Sequence, residues 1–477
     1  MSSLEEGTSP ASGAGPVKTG RNSILYLVGA LMQGLGMVLV QPFAIRMLNN
    51  DAQWQELYLS VSVIQIGVVL ASAGLPLAIT KAWFAPDGHA KARAISGFLC
   101  AVGLLLGLLA GLVCWFLMAG SGESLSFTIA LVSMGLLASV LAGQAILRAQ
   151  ERPVVFVLLS IGSSVFAYLV GLLAMLLMGA KASNFMVGFG LAVLLTAAAA
   201  VLLTRPTSPF AVSGAAKEAL KIGLPVLPHT GALMLMTQGA AFLLAAVAVR
   251  GVSGDWGKVQ IFVLGTITLL GALNNAWVPA IMSVSGQQRV ERMRSTMRTA
   301  SIAGLGIVVV AAAGANVVTH IIAVGREDLI PVAQIMPLVA MGYLLYLNAS
   351  TLLFADSMTW LLAIVTPVVL LIGVGVTYFP ASQGNLVAVA VALVISFFLL
   401  GVGYFVVSWR RARGGWSLLV FAICSLAAAG YVLLLLMLPR DIITGLLTIV
   451  VVGVLLCLGF LAWRLKKRMA RRIRSTP

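Results

Sequence analysis

The stretch "VLVQPFAIRMLNND", residues 38–51, ends the first long apolar segment of the chain. A related stretch, "LLAAVAVRGVSGD", follows at residues 243–255. Arg46 and Arg250 occupy the same place in the two stretches, because each stands five residues before an aspartate. Arginine is rare within apolar segments of membrane proteins and usually marks a pathway or a helix end. The repetition therefore predicts two related halves with a basic residue at the same point of each.

The composition is that of a helical membrane protein. The 477 residues are 60% hydrophobic and 9% charged, and their mean hydropathy is +1.06. A soluble chain would carry roughly 25% charged residues. Apolar segments of about 20 residues, the length that crosses the hydrocarbon, follow one another almost to the C-terminus, whereas a membrane β-barrel would show short alternating segments.

The apolar segments break at charge clusters and at Gly, Pro and Asn turns. They predict an all-α polytopic membrane protein of about fourteen transmembrane helices, at residues 22–47, 57–80, 94–119, 125–148, 153–178, 184–204, 222–249, 257–282, 300–324, 330–354, 357–379, 384–408, 416–438 and 441–463.

The distribution of Lys and Arg predicts the orientation. Of the 30 basic residues, 24 fall on the side that holds both termini, and six fall on the other side: Arg46, Lys181, Arg250, Lys258, Arg326 and Arg440. By the positive-inside rule, both termini are cytoplasmic in the cell (inner) membrane. The net charge of +16 then needs no nucleic acid, and the C-terminal tail "RLKKRMARRIR" predicts contact with anionic lipids.

The repeat extends over six spans. Spans three to six and spans nine to twelve start at a nearly constant offset of about 200 residues, and because six is even, the halves are parallel repeats. The predicted division is a disordered tail (1–21), an N-terminal six-helix lobe (22–210), a C-terminal six-helix lobe (211–412), an additional helix pair (413–463) and a basic cytoplasmic tail (464–477).

This layout, with "GALMQGLGMVLVQPFAIRMLNNDAQWQELYLSVSVIQIGVVLASAGLPLAITK" in the first two spans and "GQAILRAQERPVVF" between spans four and five, resembles the polysaccharide (lipid-linked oligosaccharide) flippase family. That family lies within the multidrug/oligosaccharidyl-lipid/polysaccharide exporter superfamily. The resemblance implies a multidrug and toxin extrusion-like fold that works by alternating access. It also implies a central lumen lined by spans one, two, seven and eight.

Basic residues are the candidates for binding a phosphate, because guanidinium binds phosphate oxygens bidentately. Arg46 and Arg250 could face a diphosphate near the outer end of the lumen, or both could extend to the interface as ordinary helix-end residues. Arg148 and Lys81 could receive the phosphate at the cytoplasmic side, although the positive-inside rule alone also accounts for both.

Uncharged polar side chains are the candidates for binding sugar hydroxyls, because such groups inside a membrane normally face the bundle interior. Hydrogen bonds between helices are the alternative role. His229 is also a candidate protonation-linked group. The candidates in the presumed lining spans are Gln33, Gln41, His229, Gln238, Asn274 and Asn275.

The predicted function is a flippase that moves a polyprenyl-pyrophosphate-linked oligosaccharide across the membrane for cell-surface polysaccharide export, together with polysaccharide-assembly proteins. A lipid II-type flippase and a multidrug exporter of the same superfamily are the alternatives. No predicted span has an Asp or Glu near its middle, whereas cation-coupled drug antiporters of the superfamily are expected to carry a buried carboxylate in the first lobe.

An enzyme acting on polyprenyl-linked sugars is less well supported, because the predicted outer connections are short and such enzymes usually need catalytic groups in a sizeable outer loop. Neither a metal-ligand spacing of cysteines nor a nucleotide-binding loop is present. We therefore expect neither a cofactor nor a metal.

Overall fold

The structure, a computed structural model, describes residues 16–86, 88–249, 251–356 and 358–474. Within these ranges every regular element is a helix. Residues 1–15 of the predicted N-terminal tail lie outside the described residues, and so does Arg250.

The first-half helices are α1 (Pro16–Leu48), α2 (Asp51–Ser72), α3 (Leu75–Trp83), α4 (Gly88–Leu117), α5 (Ser124–Ala149), α6 (Pro153–Ile161), α7 (Ala167–Met178) and α8 (Ala182–Thr204). A π-helical segment, Gly162–Phe166, joins α6 to α7 within one span.

The second-half helices are α9 (Ala215–Gly223), α10 (Leu227–Val247), α11 (Val252–Val259), α12 (Ile261–Met282), α13 (Gly286–Ile322), α14 (Ile330–Ile335), α15 (Val339–Ala355), α16 (Thr359–Ser382) and α17 (Leu386–Ser408). Two more helices, α18 (Leu418–Leu436) and α19 (Ile442–Arg474), pack mainly on α13. Short 3₁₀ segments occur at Leu224–Val226, Glu327–Leu329, Met336–Leu338 and Trp409–Ala412.

The predicted fold class is confirmed. Thirteen helical segments in the described ranges are long and apolar enough to cross a membrane. The remaining predicted span corresponds to α1, whose apolar part in the described residues is Met32–Leu48. The protein is therefore a multi-pass membrane protein.

Some helices begin or end well away from the predicted bounds. α13 starts at Gly286 rather than residue 300, and α19 continues to Arg474 rather than ending near residue 463. α1 likewise starts at Pro16, inside the predicted disordered tail. These extensions are polar or basic, so a hydropathy pattern that detects only the hydrocarbon-spanning part of a helix misses them.

α2 begins earlier than predicted because a capping residue precedes it. The side chain of Asn50 accepts hydrogen bonds from the backbone N–H groups of Ala52 and Gln53, at 2.9 and 3.3 Å. Such a cap satisfies N–H groups that have no partner within the helix. The first turn of α2 therefore forms at Asp51, before the apolar run starts.

The chain bends between α2 and α3. Ala73 and Gly74 both adopt left-handed backbone conformations, with φ of 43° and 68°. At this bend a Cβ atom added to Gly223, at the end of α9, would lie 2.0 Å from the carbonyl oxygen of Ala73. Only glycine at position 223 allows the backbones of the two halves to touch here.

The two halves meet along a few helices. α2 packs on both α10 and α11, and α1 packs on α12, while α3 and α4 contact α9. Most other helix pairs lie within one half, such as α4 with α5 and α15 with α17. The surfaces of α1, α2, α10, α11 and α12 therefore face one another between the halves.

Candidate functional site

A central cavity of about 380 Å³ lies between the two halves. All four spans that the family resemblance implied contribute to its wall: α1, α2, α10 and the α11–α12 span. α5, the π-helical segment, α7 and α8 complete it. Among the described residues that line this cavity, none is charged, and the polar ones are Gln33, Gln41, Tyr58, Ser62, Gln65, Ser163, Ser164, Tyr168, Gln238, Gln260 and Thr268.

Three glutamines connect the halves across the cavity wall. The Gln238 amide on α10 donates to the side-chain oxygen of Gln65 on α2. The Gln260 amide in turn donates to the side-chain oxygen of Gln238 at 3.0 Å and to the Thr237 carbonyl at 2.7 Å. Gln238 and Gln260 are both about 1% exposed. These bonds satisfy much of the hydrogen-bonding capacity of the buried amides, which would otherwise be costly to bury.

Tyr58 and Ser62 extend this network along α2. The Tyr58 hydroxyl bonds to the side-chain oxygen of Gln260, and the Ser62 hydroxyl lies 3.5 Å from the side-chain oxygen of Gln238. Amides and hydroxyls can exchange one partner for another without changing charge. The cavity wall can therefore present several donors and acceptors to a hydroxyl-rich ligand.

A second cavity of about 620 Å³ continues from the first. Both are lined by Gln65, Met234, Leu264 and Thr268. The second cavity extends toward the bend at Gly74 and the start of α10, which is the predicted cytoplasmic end. The central space thus widens in that direction.

The opposite end of the cavity is closed by an ion-pair cluster, which we call the latch. Lys258 on α11 donates to Asp51 of the first half at 2.9 Å and to Asp255 at 3.0 Å. Arg326 pairs with Asp255 at 2.6 Å and with Asp328 at 2.9 Å. Its bonds with Asp328 and Asp255 raise the pKa of the Arg326 guanidinium above its usual value, so it remains charged at any physiological pH.

Neutral contacts reinforce the latch. Gln41 on α1 donates to the carbonyls of Gly257 and Lys258, at 3.2 and 2.9 Å. The Trp54 indole donates to the Gly254 carbonyl at 2.8 Å. The Tyr58 ring packs so closely on α11 that a Cβ on Gly257 would lie 2.6 Å from it. This end of the molecule, the latch end, is the predicted outer side.

Arg46 lies at the latch end and not among the residues that line the cavity. It is exposed, and its Nη2 donates to the Ile321 carbonyl at 3.1 Å. That carbonyl belongs to the last turn of α13, where helix carbonyls lack partners and a cation is favourable. Arg46 thus joins the halves as a helix cap, and its predicted binding of phosphate stays a prediction, as does that of Arg250.

The other predicted basic site residues lie at helix ends. Arg148, near the end of α5, is exposed, and its guanidinium carbon stands 5.2 Å from the centre of the Phe156 ring. Lys81 is exposed near the end of α3. Neither is among the described residues that line the central cavities, so a contact with cargo would occur only at entry.

His229 lies in a separate cluster within the second half. Its Nδ1 is 2.7 Å from the Thr366 hydroxyl and 3.1 Å from that of Tyr404, and its Nε2 is 3.1 Å from the Tyr346 hydroxyl. The imidazole is 4% exposed. This cluster joins α10, α15, α16 and α17. His229 therefore forms hydrogen bonds between helices, which is the alternative role that the sequence left open for the polar residues.

No described contact places Asn274 or Asn275 of α12 at the cavity. Asn274 is partly buried and is not among the described lining residues. The side chain of Asn275 lies outside the described residues. Of the predicted polar candidates, Gln33, Gln41 and Gln238 therefore remain at the cavity.

The sequence reasoning missed a buried carboxylate. Glu56 on α2 is 3% exposed. It accepts hydrogen bonds from the Ser126 hydroxyl and from the Gln53 amide, the latter at 3.1 Å. Among the described residues no cation forms an ion pair with it. An ionised carboxylate without a cation is costly to bury, so Glu56 is suited to bind a proton or a small cation.

Comparison with known proteins identifies the fold. No family model matches the chain, and no curated protein does. Solved structures that resemble it include an inward-facing multidrug resistance MATE family transporter of the MOP superfamily, with a TM-score of 0.63 and 15% identity over 84% of this chain and 98% of that one. An outward-facing structure described in the same terms gives a TM-score of 0.62 with 17% identity over 83% and 96%.

A third similar structure is a MOP superfamily transporter from Pyrococcus furiosus, with a TM-score of 0.61 and 17% identity over 83% of this chain and 96% of that one. That protein is described as having a binding pocket of reversed polarity that suggests a different function. The chain is thus a membrane protein whose fold is that of the MATE transporters of the MOP superfamily.

Proposed function

We propose that this protein is a flippase for a polyprenyl-pyrophosphate-linked oligosaccharide. The observation that carries the proposal is the wall of the central cavity, where amides and hydroxyls from both halves stand among apolar side chains and no described lining residue is charged. Sugar hydroxyls donate and accept hydrogen bonds, and glutamine and serine offer both functions. An uncharged wall that carries several amides and hydroxyls therefore suits the sugar part of such a cargo.

The latch supports movement by alternating access. It closes one end of the central space through bonds between the halves, while the space widens toward the other end. Transport requires a second state in which the latch is open, and a cargo can favour that state only by binding it better. We propose that the headgroup enters from the predicted cytoplasmic side and leaves when the latch parts.

The chemistry of the headgroup does not separate two lipid-linked cargoes. A lipid II-type precursor presents the same combination of diphosphate and sugar, so it remains the alternative within this proposal. In both cases we propose that the chain acts without catalysing a covalent step, in the cell membrane with both termini cytoplasmic. Polysaccharide-assembly proteins and anionic lipids at the C-terminal tail are its proposed partners.

Depletion of the protein tests the proposal. Lipid-linked sugars should accumulate on the cytoplasmic leaflet, as measured by extraction and by protection from a glycosidase or periodate added outside. Unpolymerised cargo accumulating on the outer leaflet would contradict the proposal and favour an enzyme of polymer assembly.

Re-expression of variants connects the effect to the cavity. We expect Gln238→Leu to lower the restored export about tenfold or more, because the change leaves Gln65 and Gln260 without a shared partner, at a cost of about 1–3 kcal/mol. The control is Gln334→Leu, which removes a buried amide of α14 away from the cavity. Equal rescue by the two variants, at equal protein levels, would argue against the cavity as the cargo site.

Glu56 favours a second candidate function, a cation-coupled exporter of the same superfamily. The family resemblance led us to expect a buried carboxylate in the first lobe of such exporters, and Glu56 is one. Glu56→Gln keeps the shape: its side-chain oxygen can accept from the Gln53 amide while its NH2 group donates to the Ser126 hydroxyl oxygen. If the protein is such an exporter, we expect Glu56→Gln to abolish the ion-gradient-driven accumulation of an organic cation in vesicles, while the thermal stability of the protein changes little.

The measurement is uptake of a fluorescent organic cation into vesicles with an imposed proton or sodium gradient. Glu123→Gln, at an exposed carboxylate just before α5, serves as the control. If the wild type transports no such cation and Glu56→Gln restores polysaccharide export fully, the exporter function is excluded and Glu56 has a structural role.

A further inference from the structure

A large apolar groove, about 820 Å³ in volume, runs between the halves beside the central cavity. α2, α4 and α5 form one wall, and α10, α16 and α17 form the other. Thr377 and Ser396 are its only polar described lining residues, and their hydroxyls already donate to carbonyls of their own helices, at 2.7 and 2.8 Å. The groove therefore offers hydrocarbon contacts alone.

The groove and the central cavity lie on opposite faces of the same two helices. On α2, Val63 and Ile66 line the groove, whereas Ser62 and Gln65 line the cavity. On α10, Leu235 and Gly239 face the groove, and Gln238 faces the cavity. An α-helix with its side chains is about 10 Å wide, so the two spaces are about one helix diameter apart.

A seam between α2 and α10 separates the two spaces. The bond from Gln238 to Gln65 crosses it near the middle. Toward the predicted cytoplasmic end, a Cβ on Gly231 would lie 3.2 Å from a methyl carbon of Leu70. Few polar bonds hold the seam, so it can part without breaking a charged pair.

We propose that the groove holds the isoprenoid chain of the lipid-linked cargo while the headgroup occupies the central cavity, and that the α2–α10 seam opens to join them. This inference rests on the proposed function. The seam lies within membrane-spanning segments, so a chain that leaves the cavity there passes directly into the groove.

The chemistry of the groove favours this occupant over a phospholipid of the bilayer. A chain gains little on moving from lipid into an apolar groove, because the bilayer is equally apolar. A phospholipid would also find no group in the groove to hold its headgroup. A cargo bound in the cavity keeps its own chain at a high effective concentration beside the groove.

Gly239 provides a way to fill the groove without disturbing the packing. A Cβ added there meets no atom within 4 Å, so a larger side chain can extend into the open space. A Cβ added to Gly375, an exposed residue of α16, likewise meets no atom within 4 Å, but Gly375 does not line the groove. Gly239→Trp and Gly375→Trp therefore form a matched pair.

The test uses the full chain in vesicles with two photoreactive lipids. One is a polyprenyl pyrophosphate N-acetylglucosamine with a diazirine in its chain, and the other is phosphatidylglycerol with a diazirine in an acyl chain. Labelled peptides are mapped by mass spectrometry. We expect the polyprenyl probe to label residues 63–71 and 235–243 several-fold more than the phospholipid does, and Gly239→Trp but not Gly375→Trp to remove that excess.

Equal labelling by the two probes would overturn the inference, since the groove would then hold bilayer lipid only. Unchanged labelling in Gly239→Trp would overturn it as well. The proposed function is tested separately by depletion. If cargo accumulates on the cytoplasmic leaflet but the groove shows no selective labelling, the inference alone is wrong; if the groove is labelled selectively but no cargo accumulates, the proposed function is wrong.

Discussion

Replacing Lys258 with methionine should shift the protein toward a state that is open at the latch end. Lys258 is buried and bonds to Asp51 of the first half and to Asp255. Without the ammonium group, Asp51 loses its charged partner in the closed state and Asp255 keeps only Arg326, whereas solvent would hydrate both carboxylates in an open state. We expect the closed state to lose about 2 kcal/mol, which changes the ratio of open to closed molecules roughly thirtyfold.

Access to the cavity measures this shift. Ser62→Cys, in a chain whose four native cysteines are replaced, places a thiol in the cavity wall. A membrane-impermeant thiol reagent added from the predicted outer side should label it much faster with Lys258→Met than without it. Lys181→Met, at an exposed lysine just before α8 on the same side, should leave the rate unchanged. Equal rates for the two lysine variants would show that the latch does not control access.

Gly257→Leu should damage the same closure by a steric route. The Tyr58 ring leaves no room for a side chain at position 257, where even a Cβ would lie 2.6 Å from a ring carbon. Overpacking typically costs about 1–3 kcal/mol, and occasionally more, because side chains and backbone are forced to shift. We expect α2 and α11 to move apart, the Gln41 bonds to the Gly257 and Lys258 carbonyls to break, and export to fall to near the level of the depleted strain.

A glycine in the same membrane span supplies the control. A Cβ on Gly265 meets no atom within 4 Å, so Gly265→Leu should fold and should export normally. Rescue of export and the thiol-labelling rate at Ser62→Cys are both measured. Normal export by Gly257→Leu would mean that the close packing of Tyr58 on α11 is not needed for transport.

The membrane fold could be predicted from the sequence because its signal is local. Each span is a long apolar segment, and the span at Pro153–Met178 has the predicted bounds. The cavity glutamines were also predictable in part, because a buried amide in a membrane span must face a polar partner. Gln41 and Gln238 are such residues, and both line the cavity.

The latch could not be predicted, because its partners come from different halves. Asp51 and Asp255 were visible as a repeat, but the sequence does not show that both bond to Lys258. The rotation of each helix decides this, and it depends on packing with distant segments. The partner of Arg46 could not be predicted either. It is the backbone carbonyl of Ile321, and because every residue has such a carbonyl, the sequence does not single this one out.

Glu56 was missed for a reason that the sequence itself could have corrected. The predicted second span began at residue 57, just after this carboxylate. Asn50 followed by Asp51 is a helix-start signal, and the structure confirms that α2 begins there. Reading that signal would have placed Glu56 inside the membrane span.

The contact of Gly223 with the bend at Ala73 and Gly74 has a consequence for how the halves can move. It is a backbone-to-backbone contact at the end of the molecule remote from the latch, with no side chain between the two segments. When one segment turns against the other here, no side chain has to be repacked between them. We therefore expect this contact to act as a pivot between the halves. A small tilt at the pivot then produces a larger displacement at the latch end, and the displacement increases with the length of α2 and α10.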